Sequence, residues 1–83
     1  MKFLRMRPGY GEQLIAEGDP TLAEDEQRLV AEFRKQLEVG MWAAIPVQTE
    51  GGRREAEMVR DFDEIPRDAG RVIFFPRAAG GAE

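Results

Sequence analysis

Side chains able to make or break a covalent bond are nearly absent from this chain. Its 83 residues contain no cysteine, no histidine and no serine. The missing cysteine removes thiolate nucleophiles, thiolate metal sites and disulfide staples. The missing histidine leaves zinc only carboxylates, a poor match to that ion. Without serine there is no serine hydrolase. What remains is mostly carboxylate. Glu24-Asp25-Glu26 reads as a solvated helix start rather than a metal site. Asp61, Asp63 and Glu64 are of the type that holds magnesium, but no phosphate-binding loop accompanies them. This inventory is too thin for an enzyme working alone, so no catalytic, metal or cofactor residue is expected. One other stretch stands out. Residues 71–76, Arg-Val-Ile-Phe-Phe-Pro, form a dense apolar run, and residues 78–83 follow as a small-residue tail containing Gly80-Gly81.

Charge narrows the choice of partner. Twelve basic and 16 acidic residues give a net charge of −4. An acidic chain with no dense basic run lacks the electrostatic footprint of nucleic-acid binding. The longest apolar run is about five residues, far short of a membrane span. Met1-Lys2-Phe3-Leu4-Arg5 has no apolar core of a signal peptide. The expectation is a cytoplasmic, soluble, single domain that meets other proteins and neither nucleic acid nor membrane. A domain this small buries only about 60% of its unfolded surface, so its core is thin.

The elements that position these residues can be read in order. Residues 2–7 alternate loosely, with Leu4 and Met6 on one face and Phe3, Arg5 and Arg7 on the other. Pro8-Gly9-Tyr10-Gly11 is a turn, and residues 12–17 return as a second strand. A helix follows over about 21–39. Its cap is either Asp19, with Pro20 at the first helical position, or Thr21, with Glu24 closing a capping box. Leu22, Leu29, Val30, Phe33 and Leu37 lie along one helical face, and Gly40 ends the helix. Residues 41–49 read as a strand with Met41, Ala43, Ile45 and Val47 toward the helix and Trp42, Ala44 and Pro46 away. Pro46 lacks a donor, so the strand needs a free edge or a bulge there. Glu50-Gly51-Gly52 turns into a strand over 53–62, with Ala56, Met58 and Phe62 inward. Residues 63–70 are a polar connector anchored by Ile65. Met6, Met41 and Met58 read as core fillers.

This order specifies an α+β two-layer sandwich, a mixed sheet of four to five strands with one helix packed across one face. The apolar run 71–76 belongs at its centre. Val72 and Phe74 share one face of that strand, and Ile73 and Phe75 share the other. One helix covers one face only. With Ile73 and Phe75 on the open face beside Trp42, Ala44 and Phe3, a small apolar patch results, of the kind that marks a contact surface.

Phe62-Asp63-Glu64-Ile65-Pro66, the run 71–76 and Gly80-Gly81, taken with the element order, resemble the β-grasp fold of the ubiquitin-like family, of prokaryotic or phage type. The resemblance implies a β-grasp domain over residues 1–77 and a flexible tail over 78–83. It also implies a protein modifier or carrier. In such a protein an activating enzyme adenylates the C-terminal glycine, which then joins a target amine or sulfur. Gly81 would be the acyl donor and Gly80 the spacer, both slim enough for a narrow channel. Ala82-Glu83 would first be removed by a processing peptidase at Gly81-Ala82. Ala79 stands where ubiquitin carries arginine, with Arg77 two residues earlier, which points to a cognate activating enzyme of its own. The alternative is a non-conjugated β-grasp interaction module, or a small accessory subunit, that uses the open sheet face.

Overall fold

Gly9 and Gly11 adopt positive φ, 81° and 76°, which lets the chain reverse within a few residues. The reversal joins β1 (Lys2–Arg7) to β2 (Gly11–Glu17) as an antiparallel pair. The structure is a computed structural model and describes residues 1–7, 9–48, 51–52 and 54–77. The sequence expectations for Gly80, Gly81 and Ala82 therefore lie outside the described residues. After β2 come α1 (Ala23–Glu38), β3 (Met41–Gln48), β4 (Arg54–Val59), a single 3-10 turn (Phe62–Glu64) and β5 (Arg71–Pro76). The strands form one five-stranded mixed sheet in the order β2-β1-β5-β3-β4. β5 is parallel to β1 and antiparallel to β3, so the most apolar strand is central, as its composition requires.

The helix lies over one face of this sheet. Leu29 and Phe33 point down from α1 and are essentially unexposed. Phe33 meets Phe74 of β5 and Phe3 of β1 at ring-centroid distances of 5.8 and 6.5 Å, and Phe3 meets Phe74 at 5.2 Å. Phe62 closes the cluster edge-on against Phe33 at 6.1 Å. Val72, Met41, Ala43, Ile45, Val59 and Ile65 complete the buried set. The inward parity of β3 and the anchor role of Ile65 agree with the sequence pattern.

Three expectations need correction. Phe3 is not on the open face. It pairs with Val72, both point at the helix, and it is 0% exposed. Ala56 and Met58 are not inward either: they pair with Pro46 and Ala44 on the open face, Ala56 is exposed and Met58 is 48% exposed, while Val59 takes the inward place. Met6, at 41% exposed, is likewise no core filler, which leaves Met41 alone in that role. Third, the helix begins at Ala23 behind Leu22, with no side-chain cap, so neither Asp19 nor Thr21 fills that position. Asp19 instead accepts hydrogen bonds from the Thr21 N–H (2.9 Å) and hydroxyl (2.7 Å), forming a turn before the helix. A capping box does occur, but at Asp61 and Glu64 around the 3-10 turn.

At the other end of α1, Gly40 takes φ 93° and turns the chain into β3. Pairing of β3 with β5 runs from Met41 to Ala44, and Pro46 lies beyond it, which accommodates its missing donor. Arg67 ties the connector to the helix start, donating to the Pro20 carbonyl (2.6 Å) and to Glu26 (2.8 Å).

Three carboxyls are held below their ordinary values. Hydrogen bonds from Thr21 act on Asp19. The Asp19 backbone N–H, and then Arg28, act on Asp25. The Arg60 and Asp61 backbone N–H groups act on Glu64. A depressed folded-state value stabilises the fold above the unfolded carboxylate range, and that stabilisation is lost as pH falls through it. Urea midpoints should therefore drop between neutral pH and about pH 3. In Asp25→Asn the neutral midpoint should be lower and the acid dependence shallower. An unchanged acid dependence would show that the Asp25 contacts carry no linkage.

Candidate interaction face

The sheet face opposite the helix is assembled by register. Leu14 of β2 pairs with Leu4 of β1, Leu4 with Ile73 of β5, Ile73 with Ala44 of β3, and Ala44 with Met58 of β4. Paired residues in a sheet share a face, so these five side chains form one apolar row across all five strands. The row is concave in exposure. Leu14 and Met58 at its ends are 49% and 48% exposed, Leu4 and Ile73 are half-buried, and Ala44 is buried. A second, shorter row runs beside it, where Phe75 pairs with Trp42 and both are half-buried. Met6 shares the parity of Leu4 and adds apolar surface at the β1 end.

Charged groups edge this surface. Lys2 and Arg71 pair with one another in register at one end, with Glu17 opposite Lys2. Arg71 and Glu12 approach to 3.9 Å, reaching diagonally across the face. An exposed pair at that distance contributes little, within about 1 kcal/mol. At the other end Arg77 places its guanidinium 4.9 Å from the centre of the Trp42 ring, a cation–π contact. Its backbone N–H donates to the Gly40 carbonyl at 3.3 Å, which keeps the chain beside Trp42 after β5 ends. Trp42, Arg60 and Arg77, with Leu37 and Val59, line a recess of about 360 Å³ at this end.

Of the sequence-derived surface residues, the structure brings together Trp42, Ala44, Ile73 and Phe75. Ala44 lies on the face but is 3% exposed, so it sets the depth of the row and offers little contact area. Phe3 is on the opposite side. Leu4, Leu14 and Met58 were missed. Leu4 was legible in principle, because its parity is opposite to Phe3, but which parity points outward depends on pairing with β5.

No cluster of three or more metal-ligating side chains occurs among the described residues. No helix among them is long and apolar enough to cross a membrane. Comparison of the chain with family models, with curated proteins and with solved structures returned no match.

Proposed function

We propose that this chain is a β-grasp, ubiquitin-like protein that works by being bound. Its open sheet face is the recognition surface, and it carries no catalytic side chain of its own. The observation that carries this reading is the five-strand apolar row from Leu14 to Met58, with Trp42 and Phe75 beside it. Contiguous apolar surface on a small domain marks a contact site. The element order, one helix on a five-stranded mixed sheet with β5 central, is compatible with the β-grasp arrangement.

In its fuller form the proposal makes the chain a protein modifier or carrier. After hydrolysis of the Gly81-Ala82 bond releases Ala82-Glu83, an activating enzyme adenylates the Gly81 carboxylate with ATP, releasing pyrophosphate, and a target amine or sulfur nucleophile displaces AMP to form the new acyl bond. Support comes from the path of the chain: β5 supplies Ile73 and Phe75 to the face and reaches Arg77 at its Trp42 end. A partner docked on the face is then close to the start of the tail. Intact-mass spectrometry of the chain expressed in its own host tests this. The expected result is a species ending at Gly81, together with higher-mass adducts that disappear in Gly81→Asp. Ala82-Glu83 retained on every molecule, with no adducts, would leave the non-conjugated interaction module as the reading. That module uses the same face, and its binding survives truncation after Arg77.

A further inference from the structure

The Trp42 end of the face carries more chemical information than the apolar row. A guanidinium held over an aromatic ring gains a cation–π contact and keeps N–H donors for a second partner. Arg77 holds its guanidinium carbon 4.9 Å from the centre of the Trp42 ring, and the residue is exposed. Contact with the ring restrains the guanidinium, so less freedom is lost when it takes a carboxylate in two parallel hydrogen bonds. Apolar surface lies immediately beside it in Trp42 itself and in Phe75, its register partner. Arg60 stands across the same recess. Arg60 also borders a groove on the helix side with Glu38 and Asp61, so Arg77 is the donor that belongs to the face.

The distribution of charge points the same way. The whole chain is at −4, yet the described side chains lining the recess at the Trp42 end include Arg60 and Arg77 and no acid, and those placed on the open face by register are Lys2, Arg71 and Arg77 against Glu12 and Glu17, three minus two, or +1. The acids concentrate elsewhere, with five on α1 (Glu24, Asp25, Glu26, Glu32, Glu38) against three bases there. A second copy of the same face would bring like charges together, which disfavours self-association.

We infer that the Trp42 end of the open face recognises an acidic peptide segment, in which an apolar side chain packs on Trp42 and Phe75 and a neighbouring Asp or Glu pairs with Arg77. This rests on the reading of the open face as a recognition surface and adds the chemistry of its partner. An unbiased displayed peptide library, selected against the full chain, tests it. Trp42 is the only tryptophan, so its fluorescence reports binding at the site directly. The selected peptides should be enriched in an aromatic or aliphatic residue within a few positions of Asp or Glu. Their affinity should fall at least about tenfold in Arg77→Gln, since a charge-assisted hydrogen bond is lost. Arg77→Lys should be intermediate, and Arg34→Gln on the helix layer should have no effect. Affinity should also weaken with added salt. Thermal melts of the Arg77 variants should match the parent, because the backbone contact to Gly40 remains. Peptides that are neutral or basic, or indifferent to Arg77, yet are displaced by Met6→Asp and Met58→Asp, would overturn the acidic-partner inference and leave the face intact. Peptides indifferent to all these changes, or no enrichment at all, would overturn both.

Discussion

Phe33→Ala is expected to lower stability by about 3–5 kcal/mol, the usual cost of truncating a buried phenylalanine. Phe33 is 1% exposed and meets three other aromatic rings, Phe3, Phe62 and Phe74, within 6.5 Å. Its ring is the only aromatic contribution of α1 to the core, so truncation opens a cavity under the helix that neighbours on three different elements would have to fill. A domain of this size typically has a total stability of about 5–10 kcal/mol, so the loss removes from about a third to all of it. Each kcal/mol is worth about 4–8 °C, and the melting temperature should fall by at least about 12 °C. Circular dichroism melts read this directly. A shift under about 3 °C would mean that the helix does not dock through Phe33.

The second large effect concerns binding. Phe75→Ala and Trp42→Ala should each weaken the open-face partner by about 2 kcal/mol or more, roughly 30-fold, as truncation of a central aromatic anchor does. Both side chains are half-buried and lie outside the Phe3–Phe33–Phe74 cluster, so the fold should survive. Met58→Asp, on edge strand β4 and 48% exposed, provides a version with still less structural cost and should weaken the same partner. If the Phe75 and Trp42 variants unfold, these residues are core; if Met58→Asp binds like the parent, the row is not the contact surface.

The sequence pattern located the elements well and the faces unevenly. Strand parity in β3 was readable because Met41, Ala43, Ile45 and Val47 outweigh their neighbours in apolar content. In β1 the pattern misled. Phe3 shares its parity with Arg5 and Arg7, and Leu4 with Met6, so the more apolar parity is the one that faces outward. A single phenylalanine settles the matter because only Phe3 reaches the helix, while Arg7 stays exposed. In β4 the inward residue depends on the register with β3, which the connecting turn sets and which no local periodicity reveals. The true N-cap, Leu22, is a poor capper by type, and stronger signals at Asp19 and Thr21 were absorbed into a preceding turn. The open face was legible as a consequence of one helix facing one sheet. Its row from Leu14 to Met58 was not, because it exists only once four registers are specified together.

The place of β5 between β1 and β3 has a kinetic meaning. Each flanking hairpin, β1 with β2 and β3 with β4, closes locally, but neither has a neighbour on its inner edge until β5 arrives. Phe3 pairs with Val72 across nearly the whole chain. Loop closure must therefore precede the contacts that reward it, which slows folding relative to a helical domain of equal length. During synthesis the two hairpins would wait with open inner edges, and the last strand to emerge is the one that joins them into a single cooperative unit.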